Sequence, residues 1–97
     1  MATYILLATY TEQGIRGIKD TVKRATAVKE LAAKAGANMR ETYWTLGQFD
    51  VVAVLEAPDD ETMTAFSLSV AKLGNVKTQT LRAFSSKDME GIIGRLT

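Results

Sequence analysis

The sequence contains no cysteine and no histidine, and these two absences exclude several kinds of site. Without cysteine the chain forms neither a disulfide nor a thiolate metal site. Without histidine it has no imidazole metal ligand, no axial histidine for haem and no histidine general base. We therefore expect no metal site and no cofactor.

The chain also has little net charge and no long apolar run. The formal net charge is +1, which gives no reason to expect nucleic acid or an anionic membrane as a partner. No apolar run approaches the roughly 20 residues of a membrane helix. No basic residue precedes the apolar stretch near the N-terminus, as it would in a signal peptide. We expect a soluble, cytoplasmic protein.

The chain is short, and its 97 residues predict one domain over residues 1–97. Such a chain buries only about 60–65% of the surface of its unfolded state, so its stability is marginal without help. Disulfides, metals and self-association are the usual sources of extra stability. Self-association is the one that this composition leaves.

Segments rich in β-branched and aromatic residues predict four strands, at residues 3–10, 38–46, 49–57 and 75–84. With the helices between them, the order is βαββαβ plus a short C-terminal helix, which is the ferredoxin-like α+β arrangement. Right-handed crossovers place both main helices on one face of a four-stranded antiparallel sheet. The first and third strands lie in its centre.

The two main helices show apolar residues at three-four spacing. The first is predicted from Ile15 to a stop at Gly36, after a glycine-containing loop that begins at Thr11. The second begins at the acidic residues 59–61 and ends at Gly74. The solvent side of the first helix is basic, through Arg16, Lys19, Lys23, Arg24, Lys29 and Lys34.

Both faces of the predicted sheet are apolar at its centre, whereas a sheet with helices on one side normally alternates apolar and polar residues. Leu6 and Leu7 point to opposite faces of the first strand, and Val51 and Val52 do so in the third. A bare second face would match or exceed the largest patch of a typical monomer, roughly 300–600 Å². We expect a second copy to cover it, sheet against sheet, in a homodimer or a higher multiple of dimers.

The C-terminal helix offers an alternative cover for this face. Ser85 or Ser86 predicts its start, and one of its sides is apolar, with Met89, Ile92, Ile93 and Leu96. Four large side chains are few for the whole face. We expect this helix to pack at a sheet edge or to reach the partner.

Gly47-Gln48 predicts a two-residue type II′ hairpin turn. In that register Thr45 pairs with Asp50, and Tyr43 with Val52, so these four residues share the open face. The opposite face, towards the helices, then carries Leu46, Trp44, Phe49, Val51, Ala53 and Leu55. A three-residue loop or a bulge would exchange the two faces.

Four polar side chains are candidate ligand contacts: Tyr10, Tyr43, Asp50 and Arg82. Each has a structural alternative. Asp50 is placed to accept backbone N–H bonds from its turn, and the two tyrosines are placed to pack in an interface. Arg82 either pairs with an anion or protects an edge strand from pairing. Asp50 has no second titratable partner in sequence to pair with it in acid–base catalysis, and we predict no catalytic residue.

Three segments resemble the GYD-domain family, which is named for a Gly-x-Tyr/Phe-Asp signature: TEQGIRGIKDTVKRA, YWTLGQFDVVAVLEAPDDE and LGNVKTQTLRAF. Phe49 stands in place of the tyrosine of that name, so a phenol hydroxyl is not essential there. The resemblance implies a dimeric α/β barrel, in which two ferredoxin-like sheets close on each other. That superfamily includes monooxygenases, haem enzymes and the ligand-sensing domain of leucine-responsive regulators. The resemblance implies no particular reaction.

Two functions fit these observations. The first is a homo-oligomeric accessory or structural module, or one whose inter-subunit barrel holds a small, partly apolar ligand. The alternative is a cofactor-free, monooxygenase-like barrel enzyme that positions a small aromatic substrate with tyrosine or aspartate. The absence of histidine favours the first function. An open cavity with converging Tyr, Asp and Arg side chains would favour a ligand or a substrate.

Overall fold

The computed structural model describes residues 1–97 and has the predicted ferredoxin-like α+β fold. Its antiparallel sheet has the strand order β2-β3-β1-β4, with strands β1 (Ala2–Tyr10), β2 (Asn38–Trp44), β3 (Val51–Ala57) and β4 (Val76–Ala83). The helices are α1 (Glu12–Arg16), α2 (Thr21–Lys34), α3 (Asp60–Ala71) and α4 (Ser86–Ile93). The predicted central position of the first and third strands is confirmed.

The prediction of one continuous first helix from Ile15 is wrong. The predicted loop contains α1, which Thr11 caps by accepting the N–H of Gly14. A 3-10 turn, Ile18–Asp20, then separates α1 from α2. Arg24 stabilises this break by donating to two backbone carbonyls of the α1 region, those of Gly14 and Gly17. Arg24 is thus half-buried rather than part of a solvated basic face.

The β2–β3 hairpin has the predicted register but not the predicted turn. Tyr43 pairs with Val52, as expected, and Thr45 donates its N–H to the carbonyl of Asp50 at 2.9 Å. Residues 46–49 form a longer loop, with Gly47 at a φ of 123° that favours glycine. The strands therefore end earlier than predicted.

Two side chains of this hairpin lie where the two-residue turn did not place them. Leu46 is fully exposed instead of facing the helices. Phe49 lies on the opposite side of the sheet, where it borders a shallow depression with Leu7 and Gln79. The longer loop allows both changes, because its residues are not bound to the alternation of a strand.

The core lies between the sheet and the helices α2 and α3. Its buried residues form one cluster that comprises Tyr4, Leu6, Ala32, Ala37, Met39, Ala53, Leu55, Ala57, Met63, Phe66 and Val70. On β3 the buried positions are Ala53, Leu55 and Ala57, in alternation with half-buried residues. The predicted orientation of this strand is therefore confirmed for its helix-facing side.

The other side of the sheet is uncovered in the single chain; we call it the open face. Its centre consists of Ile5, Leu7, Val52 and Val54, all half-buried, with Leu81 on the edge strand 40% exposed. Helix α4 does not cover this face: it makes few contacts with the rest of the chain. Its apolar residues Met89 and Ile93 are exposed, as is Leu96 beyond its end. None of the helices has the length and apolar character needed for a membrane crossing.

Candidate functional site

Asp50 joins the hairpin to the end of β1. Its carboxylate accepts the backbone N–H of Tyr10 at 2.9 Å, and its own N–H donates to the carbonyl of Ala8 at 2.9 Å. The backbone N–H of Thr45, on the other arm of the hairpin, donates to the carbonyl of Asp50. The aspartate thus accepts a backbone bond as expected, but the bond comes from β1 and not from its own turn.

Tyr10, Thr21 and Trp44 form a polar cluster between the sheet and the start of α2. The hydroxyl of Tyr10 lies 2.8 Å from the Oγ1 atom of Thr21. The same oxygen accepts the indole N–H of Trp44 at 3.0 Å. Tyr10 therefore points towards α2, away from the open face.

This cluster lies at a cavity of about 360 Å³ between α2 and the sheet. Most of the lining is apolar and includes Leu6, Val28, Leu31, Met39 and Val70. The cavity exists because small side chains face each other across this layer: Ala8, Val51 and Ala53 from the sheet, and Ala25 and Val28 from α2. It lies within one chain, on the helix side of the sheet, rather than between two sheets.

Arg24 also lines this cavity. Its guanidinium donates to the carbonyls of Gly17 at 2.9 Å and Gly14 at 3.0 Å. The ion pairs of the chain are Arg16–Glu12 and Arg40–Glu56, so no carboxylate neutralises Arg24. A half-buried cation without an anionic partner therefore stands beside an apolar space.

At the other end of β1, Tyr4 and Arg82 form a separate group. The buried hydroxyl of Tyr4 donates to the Oδ1 atom of Asp60 at 2.5 Å. Burial, and then this bond to a carboxylate, raise the pKa of Tyr4 to about 12. The guanidinium of Arg82 lies over two rings, 5.6 Å from the centre of Tyr4 and 4.6 Å from that of Phe84.

Tyr43 lies apart from both groups, on the exposed edge strand β2. It is 54% exposed, and its hydroxyl donates to Glu41 on the same strand. This bond to a carboxylate is the main cause that raises the pKa of Tyr43.

The structure brings only two of the four predicted ligand contacts together. Tyr10 and Asp50 share a hydrogen bond, whereas Arg82 pairs with Tyr4 near the opposite end of β1. Tyr43 opposes Val52 on the open face, while Tyr10 faces α2. No single pocket contains converging Tyr, Asp and Arg side chains from this set.

Thr21, Arg24 and Trp44 line one cavity, which the sequence did not predict. Arg24 follows Thr21 by three positions on α2, which places both on one side of the helix. A usable signal was present in the alanines at positions 8, 25 and 53, because small residues on two facing layers leave volume unfilled.

The comparisons with known proteins cover nearly the whole chain. A family model described as GYD domain matches residues 4–93. A Thermus thermophilus protein named "Glutamine synthetase and cystathionine beta-lyase binding protein" is 36% identical over 90 residues, which is 92% of this chain and 95% of that protein.

Solved structures show the same architecture. TTHA0845 from Thermus thermophilus matches with a TM-score of 0.59 and 25% identity, over 89% of this chain and 96% of that chain. MtbAldR matches with a TM-score of 0.68 and 10% identity, over 88% of this chain but 52% of that longer chain. A hypothetical protein from Pyrococcus horikoshii has a TM-score of 0.57 and 18% identity, over 89% and 93%. These last two likenesses concern the fold alone.

Proposed function

We propose that this protein, which belongs to the GYD domain family, is a homo-oligomeric accessory protein that binds metabolic enzymes. The observation that carries the proposal is the relative named as a binding protein of glutamine synthetase and cystathionine β-lyase, with 36% identity over 95% of its length. Those two enzymes are the first partners to test for this chain.

The open face supports the homo-oligomeric part of the proposal. Ile5, Leu7, Val52 and Val54 form an apolar centre that helix α4 leaves uncovered. A second copy that packs its own open face against this one would bury both apolar centres at once. Burial of this kind also adds the stability that a chain of this length lacks.

Exposed apolar residues on the helices support the enzyme-binding part. Ile15 and Val22 lie on the first helical segments and are 55% and 63% exposed, and Leu68 on α3 is 64% exposed. A dimer formed through the open faces leaves the helix side of each sheet free. Large apolar side chains on a free surface are typical of protein interaction sites.

We propose the accessory role ahead of the enzyme role because of where the polar groups lie. The carboxylate of Asp50 already accepts the backbone N–H of Tyr10. The guanidinium of Arg82 already donates to the carbonyls of Thr3 and Ala83 and lies over two aromatic rings. These contacts favour a structural role for the side chains that a barrel enzyme would use to bind its substrate.

Binding of purified partners tests the proposal. The tagged protein is immobilised, and glutamine synthetase and cystathionine β-lyase from the same organism are titrated over it at micromolar concentrations. We expect saturable binding of at least one enzyme, weakened in a Val22→Asp, Leu68→Asp variant. The exposed positions Lys23 and Thr64 supply the control, Lys23→Asp, Thr64→Asp. Absence of binding by both enzymes would contradict the enzyme-binding role.

A further inference from the structure

We infer that the cavity between α2 and the sheet is a binding site for a small monocarboxylic acid with an apolar body, whose carboxylate pairs with Arg24. This site goes beyond the enzyme-binding role and stands without it. It lies inside one chain, so it also does not depend on the oligomeric state.

The size of the cavity sets the size of the ligand. Its volume of about 360 Å³ is within the range of roughly 300–1,000 Å³ found for small-molecule sites. An apolar cavity of about 150 Å³ already accepts benzene. The cavity therefore suits an apolar body of about ten carbon atoms, on the same scale.

The lining sets the chemical character of the ligand's body. Leu6, Val28, Leu31, Met39 and Val70 surround the space with aliphatic and thioether groups. Empty apolar volume leaves these side chains without dispersion contacts on one side, and an apolar ligand supplies them. Met39 and Leu31 can also adapt to a flexible chain by changing rotamer.

The charge at one end of the cavity sets the head group. A guanidinium has five N–H donors, and Arg24 uses two of its nitrogens for backbone carbonyls while no carboxylate pairs with it. Three of the five N–H groups therefore remain without a hydrogen-bond partner, and a carboxylate has two oxygens that can accept from a guanidinium. The other charged lining residues, Glu30 and Lys34, are exposed and lie further along α2.

The polar cluster lies at the same end of α2 as Arg24. Thr21 precedes Arg24 by three positions, and its hydroxyl contacts both Tyr10 and Trp44. Polar side chains thus cluster at this end of the cavity, and the lining residues that are buried, Leu6, Ala8, Met39, Ala53 and Val70, are all apolar. This asymmetry orients an amphipathic acid, with its head at Arg24 and its chain towards Met39 and Leu31.

Binding of decanoic acid, with decan-1-ol as its neutral counterpart, tests the assignment. Trp44 is the only tryptophan in the chain and lines the cavity, so its fluorescence reports occupancy. We expect decanoate to change this fluorescence with a micromolar Kd, and decan-1-ol to bind about tenfold or more weakly. Equal affinities for the two, or no change with decanoate up to millimolar concentration, would overturn the proposal.

A matched pair of variants locates the ligand. Ala25→Phe places a ring in the cavity, whereas Ala33→Phe places the same ring on an exposed part of α2 outside it. We expect Ala25→Phe to weaken decanoate binding about tenfold or more, because the apolar volume is then occupied, and Ala33→Phe to leave it unchanged. Unchanged binding by a folded Ala25→Phe protein would place the ligand elsewhere and overturn the proposal.

Arg24→Gln tests the head group. It keeps an amide donor near the carbonyls of Gly14 and Gly17 but removes the charge. We expect decanoate to fall to the affinity of decan-1-ol, with no change for the alcohol itself. Retention of the acid preference in folded Arg24→Gln would overturn the role of Arg24. If circular dichroism shows that this variant unfolds, the acid and alcohol comparison on the unaltered protein decides the question of charge.

Discussion

At the scale of single residues, Asp50 shows how an acid in a hairpin can serve the sheet. Its side chain and backbone contact β1 through Tyr10 and Ala8, while its carbonyl accepts from Thr45 of the neighbouring hairpin arm. One residue thus ties the end of the central strand to the start of the next. A carboxylate that accepts a backbone N–H forms a charge-assisted bond, which is stronger than a neutral one.

Replacement of Asp50 should therefore destabilise the fold. We expect Asp50→Ala to lower the free energy of unfolding by about 1–3 kcal/mol, since it removes a bond to a charged acceptor and leaves the N–H of Tyr10 unpaired. In a domain of this size each kcal/mol corresponds to a shift in Tm of roughly 4–8 °C. Asp50→Asn keeps an acceptor oxygen and should lose less. An unchanged Tm for Asp50→Ala would show that this bond does not support the hairpin.

Tyr4 makes stability depend on alkaline pH. Its pKa is raised from 10.0 to about 12 in the folded protein, so the neutral phenol favours folding. The corresponding stability is fully present below pH 10 and is lost as the pH rises from 10 to 12. Denaturant titrations across this range should show a steeper loss for the natural protein than for Tyr4→Phe. Equal pH dependence in the two proteins would show that the Tyr4 hydroxyl is not the source of this loss of stability.

Several residue roles could not be predicted because they depend on distant partners. The partner of Asp50 is 40 positions away in sequence, and that of Tyr4 is 56 positions away. Arg24 looked like part of a solvated basic face, since helical spacing says nothing of the carbonyls that it reaches in α1. By contrast, the predicted pairing of Tyr43 with Val52 is confirmed, because the loop of residues 46–49 and the predicted two-residue turn both leave Thr45 opposite Asp50.

At the scale of elements, the short helix α1 is held against the segment that precedes β4. The carbonyl of Asn75 accepts the N–H of Thr11 at 3.1 Å, and Gln13 donates to Leu73 and Asn75. A side-chain Cβ on Gly14 would lie 2.0 Å from that carbonyl oxygen. The helix can approach this closely only with glycine at that position.

Gly14→Ala should therefore separate α1 from this segment. We expect a loss of about 1–3 kcal/mol in unfolding free energy, as for overpacking elsewhere in proteins. Gly91→Ala is the control, because nothing lies within 4 Å of its added Cβ on α4 and alanine favours a helix by up to about 1 kcal/mol. Thermal unfolding of both variants makes the comparison. A stable Gly14→Ala protein would mean that the two segments are not in contact.

Element order and orientation were predictable, whereas the breaks within elements were not. Segments rich in β-branched and aromatic residues located the four strands, and a glycine after the helical pattern located the stop of the first helix at Gly36, which has a φ of 89°. Helical periodicity could not separate α1 from α2, since the break relies on Arg24 as a tertiary contact. The cavity could not be predicted from periodicity either, because unfilled volume depends on how side chains from α2 and the sheet pack together.

At the scale of the whole molecule, two apolar surfaces remain without a partner in the single chain, besides the exposed helix residues Ile15, Val22 and Leu68. One is the open face, and the other is the C-terminal segment, with Met89 and Ile93 on α4 and Leu96 beyond it. The chain extends over 51 Å in its longest direction and 18 Å in its shortest. A second copy of this extended chain would cover the apolar surfaces at the sheet and at the terminal helix.

A charge in the centre of the open face tests its role. We expect Val52→Lys to abolish self-association and to cause partial unfolding or aggregation, because an unpaired charge buried between two sheets costs several kcal/mol, on the order of the whole stability of a small domain. Thr64→Lys adds the same charge to the exposed surface of α3 and should leave both properties unchanged. Size-exclusion chromatography and thermal unfolding measure the two effects. A Val52→Lys protein that keeps its oligomeric state and its Tm would show that the open faces do not meet.

Sedimentation equilibrium of the natural protein tests the central claim, that the open face is a surface of self-association. At micromolar concentration we predict a mass of two chains or an even multiple, where one chain is 10.6 kDa. The mass should fall towards that of one chain only on strong dilution. A folded species of 10.6 kDa throughout this range would contradict the account, since the apolar centre of the sheet would then be stable in water without a second copy.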